Sequence, residues 1–508
     1  MIKKSLLSLG LILGFVSGIH AQDEFDALKA SQTQLKGTAR YMGMGGAFTA
    51  LGGDASAITL NPAGLGVYRS SEITATLNMM NNSTSSTWNG VSNSDNNIFA
   101  HFNNLSIVAT IPGTDQYSSA LSFTFDRLKS FNRNGVISGA NQFSSLTDNI
   151  AYRTGGIPES ALQSSSDPYN NTSIPWISVL GYEGYLINPS SSGTNQWTSL
   201  LGSTENVRPS YSFSERGYID QYSIGYAGNI SNIVYLGASI GWQSLNYSLI
   251  SYYGESFGSA ENFNLKNEIY TTGSGFDVKL GVIVRPTDFL RLGFAYHTPM
   301  FYNMTDNYYA SLYSAVKTAS GTFNGTVATP NEGGYSKYKV QTPSYYTFGL
   351  AAILGKKGIL SFDYQYQDFS TMKLKNQDGD SQAFQFENDG VKANMKSVSS
   401  FKVGGEFRAT DNIALRLGYN YISPATKPDA YRVLANNSVR TDSEYFLDVN
   451  TQNFTAGIGF RYNNWNFDLA YVLSNQKQDF YAYDDANLAP ARLNTHNSNV
   501  AFTVGFRY

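Results

Sequence analysis

From residue 500 to its end the chain alternates without a break. Val500, Phe502, Val504, Phe506 and Tyr508 share one face, while Ala501, Thr503, Gly505 and Arg507 share the other. A period of two with one apolar face specifies a β-strand lying between two different surroundings. The same split recurs along the chain. Leu236, Ala238, Ile240 and Trp242 oppose Gly237, Ser239 and Gly241; Phe276, Val278, Leu280 and Val282 oppose Asp277, Lys279 and Gly281; Leu415, Leu417 and Tyr419 oppose Arg416, Gly418 and Asn420. In a soluble sandwich the apolar face would meet a second sheet. In a membrane barrel it meets lipid, and the small or charged face lines the lumen, where mid-strand charges such as Asp277, Lys279 and Arg416 are tolerable.

Segments of this kind number fourteen, an even count as single-chain bacterial barrels require. They centre on 71–79, 104–111, 117–128, 218–229, 233–246, 271–285, 289–298, 339–354, 359–369, 396–409, 413–422, 452–462, 464–474 and 497–508. Their connections alternate in length. Short turns such as Pro286-Thr287-Asp288, Ala409-Thr410-Asp411-Asn412 and Asn463-Asn464 separate long polar loops, the longest over 130–217. Short periplasmic turns and long extracellular loops are the topology of outer-membrane barrels, whereas a sandwich has no reason to sort its long loops to one end. The 36 Tyr, 31 Phe and 47 Gly against only 14 Pro favour strands over helices. Beyond the N-terminus no run of 18 apolar residues supports a membrane-spanning helix. The fold class is therefore all-β, a 14-stranded antiparallel transmembrane barrel.

At the N-terminus Lys3 and Lys4 precede the apolar run Leu6 to Val16, and small residues lead to Ala21. This is the pattern of a secretory signal peptide spanning 1–21, removed before Gln22. A net charge of -3 gives no reason to expect a nucleic-acid partner, and the absence of Cys excludes disulfides, thiolate metal sites and cysteine nucleophiles. No cofactor is expected. His101, His297 and His496 lack metal-ligand spacing. Gly237-Ala238-Ser239-Ile240-Gly241 matches the nucleophile-elbow pattern but lies in an alternating strand, not at a strand-to-helix turn, so an enzyme is not expected.

Residues 22–70 fit no strand pattern. They carry a Gly-rich stretch, Gly37 to Ala50, and then Asn61-Pro62-Ala63-Gly64-Leu65. A pore of fourteen strands leaves an aqueous channel unless something fills it, and the simplest use of this segment is as an N-terminal hatch in the lumen, with the barrel over 71–508. Here the sequence resembles the FadL/TodX outer-membrane transporters of long-chain fatty acids and other hydrophobic compounds. The resemblance rests on the Gly-rich stretch, Asn61-Pro62-Ala63, Leu292-Gly293-Phe294-Ala295-Tyr296, Leu415-Arg416-Leu417-Gly418-Tyr419 and the aromatic C-terminus.

What the resemblance implies is a barrel with an internal hatch that takes up apolar ligands passively. The ligand is held in an apolar pocket and leaves sideways into the membrane beside an inward-kinked strand. The partners expected are a hydrophobic small molecule such as a long-chain fatty acid and outer-membrane lipid, with the protein a monomer. A general porin, or a surface receptor including one for haem or porphyrin, is the alternative. Met42, Met44, Phe48 and Leu51 are candidate hatch or ligand contacts, since Met adapts to irregular partners, and Asn61, Pro62 and Ala63 fix where the hatch leaves the lumen. The third strand carries no Gly or Pro kink signal. Leu417→Arg on the lipid face is expected to be harmful and Gly418→Ser on the lumen face milder.

Overall fold

The computed structural model describes residues 22–508 except 115, 164, 166, 203–204, 259, 331–332, 437 and 486–487; the signal peptide expected at 1–21 lies outside the described residues. Fourteen barrel strands follow one another in chain order. They are β1 (Glu72–Trp88), β2 (Val91–Thr114), β3 (Tyr117–Ser130, continued by Arg133–Ser138), β4 (Val207–Ile230), β5 (Val234–Phe257) and β6 (Asn262–Thr287). Next come β7 (Leu290–His297, continued by Phe301–Thr318), β8 (Gly334–Gln341, continued by Tyr345–Leu354), β9 (Gly358–Asp368) and β10 (Ser397–Arg408). The last four are β11 (Ile413–Ile422), β12 (Tyr445–Tyr462), β13 (Trp465–Tyr481) and β14 (Ala491–Arg507). Neighbours pair antiparallel, and β14 returns to β1 through Arg507 opposite Glu72, closing the barrel. Closure removes both sheet edges, which a lipid environment would leave without hydrogen-bond partners.

The alternating faces point as expected. Leu417, Phe502, Ile240 and Leu280 are exposed on the outside, while Arg416, Ala501, Thr503, Ser239 and Asp277 are buried within. Every barrel strand contributes exposed apolar side chains, so the outer wall carries a continuous band facing lipid. Tight turns close the periplasmic end. Ser231, Asn232 and Asn463 take left-handed conformations there, which short polar residues adopt at least cost.

At the other end the strands run much further than the alternation predicted. β4 begins at Val207 rather than 218, and β6 is 26 residues long, where 9–11 residues suffice to cross a bilayer. Above the membrane the outer face of a strand meets water in place of lipid, so the outward apolar period ends while the inner face stays packed and the hydrogen bonds continue. Two strands break where Pro interrupts them, β7 at Pro299 and β8 at Pro343, because Pro cannot donate to the ladder. The expected unbroken strand 339–354 is therefore two pieces. Within the expected loop 130–217 lie the end of β3, the start of β4 and three helices, α3 (Leu146–Thr154), α4 (Glu159–Leu162) and α5 (Trp176–Glu183). Leu146, Ile150, Ile177 and Leu180 join Leu265, Leu312 and Val316 of the tall wall in one buried cluster. Glu255 of β5 anchors α3, accepting from Leu146 N and Ser145 Oγ at its N-terminus.

Candidate functional site: a filled lumen, a cavity and a breach in the wall

Residues 22–70 lie inside the barrel as two helices, α1 (Glu24–Ser31) and α2 (Ala39–Gly43), and two short 3-10 turns, Ser56–Thr59 and Pro62–Val67. They bond to strands all round the wall. Ala39 N donates to Thr503 Oγ1 of β14 (2.7 Å), Thr49 N to Asp363 of β9 (2.8 Å), and Thr455 Oγ1 of β12 to Gly43 O (2.9 Å). Arg40 meets Glu406 of β10 at 2.9 Å, and Glu406 is shared with Arg416, which also pairs with Asp468. The lumen charges read from the sequence are thus inward and paired, Lys279 with Asp277 among them at 3.0 Å.

The wall makes room for this segment with glycines that face one another across neighbouring strands: Gly237 with Gly281, Gly293 with Gly349, and Gly404 with Gly418. A Cβ on Gly293 would stand 2.7 Å from Ala50 Cα, and one on Gly349 2.7 Å from Ala50 N. Glycine inside a strand marks such close backbone approach. Asn61-Pro62-Ala63 is wedged against Gly237 and Gly281. Asn61 Nδ2 donates to Thr49 O (2.7 Å), and Asn61 Oδ1 caps the following turn through Ala63 N (3.0 Å). Gly418→Ser, expected to be milder than Leu417→Arg, would nevertheless put a side chain where the wall has no room for one. Its Cβ would meet the backbone of Met44 and Gly45, and Thr455 Oγ1 at 2.6 Å.

Met42, Met44, Phe48 and Leu51 are buried in a cluster with Ala351, Ala470 and Ala501 of the wall. They pack the N-terminal segment against the wall and do not line the central cavity. That role falls to residues that no motif marks. A cavity of about 400 Å³ lies between the N-terminal segment and the wall, lined by Phe25, Leu28, Lys29, Gln34 and Lys36 from the former. Phe131, Phe213, Tyr247, Leu249, Met300 and Tyr302 supply much of its apolar wall. Lys36 and Lys129 are buried on it and form no ion pair among the described residues. Lys36 Nζ lies 3.0 Å from His101 Nε2, and Lys129 Nζ donates to Lys29 O at 2.7 Å. Burial pulls the Lys36 ammonium down to about 7.

Beside the cavity the wall is incomplete. The β2–β3 ladder ends at Asn104 opposite Asp126, and from Phe102 up to Val91 β2 pairs only with β1. Beyond Arg127 β3 shifts register on β4, and it breaks at Phe131 and Asn132. The bend is accommodated across the ladder. Gly217 of β4 takes φ +119, accepts from Phe131 N at 3.0 Å and donates to Asn132 Oδ1 at 3.2 Å. The edge of β3 left by β2 bonds to the N-terminal segment instead. Gln34 N donates to Leu128 O (2.9 Å), and the Gln34 amide both accepts from Ser130 N (3.1 Å) and donates to Ser130 O (3.2 Å). The kink signal was absent from β3 because it resides in Gly217 and Gln34. Across the breach the Arg216 guanidinium lies 5.2 Å from the Phe99 ring.

The start of the N-terminal segment is tied to the long-loop end. Asp23 caps α1 and pairs with Arg432 at 2.5 Å, Asp26 pairs with Arg440 at 2.6 Å, and Asp442 engages both arginines. Around this cluster burial, aided by the charge of Asp23, pushes Glu24 up to about 8, and burial with the charge of Asp442 pushes Glu444 up to about 7. Both therefore hold protons that the unfolded chain releases above its ordinary value near 4.5. Between those limits the folded form binds more protons, so stability falls as pH rises. Amide exchange of residues 22–31 should accelerate from pH 6 to pH 9 beyond the intrinsic base-catalysed rate. Corrected exchange that is unchanged or slower at pH 9 would contradict this.

Residues 219–508 match the family described as outer membrane protein transport protein (OMPP1/FadL/TodX). Among solved structures, a Pseudomonas aeruginosa FadL homologue is 11% identical, with 94% of this chain and 99% of that chain covered and a TM-score of 0.52. The Ralstonia pickettii toluene transporter TbuX is 13% identical, covering 93% and 99%, with a TM-score of 0.52. The P. putida toluene transporter TodX is 13% identical, covering 94% and 99%, with a TM-score of 0.53. At these identities the likeness is one of fold. No curated protein matches the chain in sequence.

Proposed function

Because the chain belongs to the OMPP1/FadL/TodX family of outer membrane protein transport proteins, we propose that it passively takes up hydrophobic small molecules across the outer membrane, long-chain fatty acids above all. The observation that supports this reading is a cavity lined by Leu128, Lys129 and Ser130 of β3, the stretch of that strand that β2 has left. A chain of about 15 methylenes gains on the order of 12 kcal/mol gross on leaving water. A cavity that opens toward lipid keeps most of that gain, since the chain need not re-enter water. The ligand lies with its alkyl chain against Phe131, Phe213 and Tyr247 and its carboxylate near Lys36 or Lys129, whose ammonium groups form no ion pair among the described residues. Toluene, the substrate named for two of the similar structures, would leave those cations unpaired. Residues 22–70 act as the hatch, which argues against an open porin, and a lipid-facing band on all fourteen strands fits a monomer.

Two measurements test this. A hydrogen bond to a charged group contributes about 1.5–3 kcal/mol, so Lys36→Met together with Lys129→Met should weaken palmitate binding at least tenfold and hexadecanol binding little. Equal losses for both ligands would remove the carboxylate from the argument. The chain has no Cys, so Phe99→Cys with Arg216→Cys can be bridged selectively by a short bis-maleimide across the breach. Bridging should cut fatty-acid delivery into proteoliposomes at least tenfold with equilibrium binding intact. Undiminished delivery would place the exit elsewhere.

A further inference from the structure

The outer wall carries a feature that uptake does not use. On β6 and β7 the exposed apolar band reaches Phe276 and Phe301. Phe301 is the register partner of Phe276 and of Gln341, and Gln341 pairs in turn with Lys373 of the short strand Lys373–Lys375. That row marks the upper limit of the band on this side. Two residues above it Lys339 stands directly opposite Lys375, and Lys337 follows on the same face of β8. Tyr338, Val340 and Leu374 between them are buried, so alternation places all four lysines outside. At 3.3–3.4 Å per residue the set rises roughly 13 Å along the strand from the apolar limit.

Like charges facing each other across a ladder are unfavourable unless an anion lies between them. Among the described residues the protein supplies none. Lys375 Nζ donates to the neutral Gln341 Oε1 at 3.0 Å, and Lys337 lies over the Tyr335 ring at 5.5 Å. Asp368 on the outer face of β9 is engaged by Ser370 through N (3.1 Å) and Oγ (2.7 Å), and Glu268 on β6 pairs with Lys266. Asp378 and Asp380 stand on the turn beyond Lys375, where Asp380 accepts from Gln382 N at 2.9 Å. None of the four lysines has an ion-pair partner among the described residues.

We propose that Lys337, Lys339, Lys373 and Lys375 form a binding site for the phosphate groups of a phosphorylated lipid of the outer leaflet, with bisphosphorylated lipid A as the headgroup that fits. Long lysine stems lie along apolar surface and carry their charge to the headgroup level, and an anionic membrane surface attracts such clusters. The lipid's acyl chains then run down past Phe301, Phe348 and Tyr346, all exposed on the same wall. A free phosphate has no use for that apolar surface. The site concerns the outside of the barrel and stands apart from what the cavity carries.

The test uses the full chain in detergent, with heat-modifiable migration confirming a folded barrel for each variant. Lipid A in mixed micelles should bind the unaltered protein at least tenfold more tightly than the Lys337→Gln, Lys339→Gln, Lys373→Gln, Lys375→Gln variant, and the corresponding four Lys→Arg changes should preserve binding. Dephosphorylated lipid A should bind the unaltered protein as weakly as lipid A binds the Gln variant. Unchanged affinity in the Gln variant, or no dependence on the lipid phosphates, would overturn the site. Inorganic phosphate alone reproducing the full thermal shift would overturn its assignment to a lipid.

Discussion

Deleting residues 24–60 should leave a closed barrel whose ion conductance in planar bilayers rises at least tenfold and whose affinity for palmitate falls at least tenfold. Fourteen strands enclose a lumen too wide for wall side chains to fill, and the segment from Gly37 to Leu60 reaches across it to β2, β9, β10, β12 and β14. Its removal exposes Asp363, Glu406 and His297, which now bond to Thr49, Arg40 and the carbonyl of Leu60. Water would enter to satisfy them, so a dry sealed lumen is not an available outcome. Palmitate would lose Phe25, Leu28 and Lys36 on one side of the cavity. The breach should also change, because Gln34 no longer holds the vacated edge of β3 at Leu128 and Ser130. Conductance and palmitate affinity both unchanged would show that the wall or the extracellular loops close the pore instead.

What could be read from the chain follows the contrast between the two sides of each strand. Where lipid faces a strand, as at Leu415, Leu417 and Phe502, the apolar period is strong, and strand number, orientation and turn positions were all legible. Above the membrane the stretch Ser92 to Asn97 is polar on both faces, so the upper half of β2 read as loop although it pairs with β1 up to Val91. The N-terminal segment stood out for its lack of strand pattern, but where it sits against the wall was not legible. Gly281 and Gly418 read as small lumen residues, and only the pairing Gly237 to Gly281 and Gly404 to Gly418 shows them as a fitted surface. The breach was hidden for another reason. Its determinants, Gly217 and Gln34, lie on other segments than the strand that bends, and no local pattern joins residues so far apart in sequence.

Gly418 gives the most direct measure of how tightly hatch and wall are fitted. Leu417→Arg should cost about 2–4 kcal/mol near the bilayer midplane, because a charge there faces lipid. Gly418→Ser should cost about 1–3 kcal/mol, the range for overpacking a filled interior, since its Cβ would press on the backbone of Met44 and Gly45 rather than on a side chain that can turn away. The two penalties have different origins, and the hatch separates them. In the chain lacking 24–60 the Gly418→Ser cost should vanish, because Thr455, the remaining neighbour, is then free of its bond to Gly43 O and can rotate. Leu417→Arg should be as harmful as before, its surroundings being lipid in both cases. Refolding into lipid vesicles across a urea gradient measures all four combinations, and coupling between neighbouring groups of this kind is commonly about 0.5–3 kcal/mol. A Gly418→Ser penalty that persists without the hatch would mean that the wall alone forbids a side chain there, and the facing glycines would then be a property of the barrel and not the seat of the hatch.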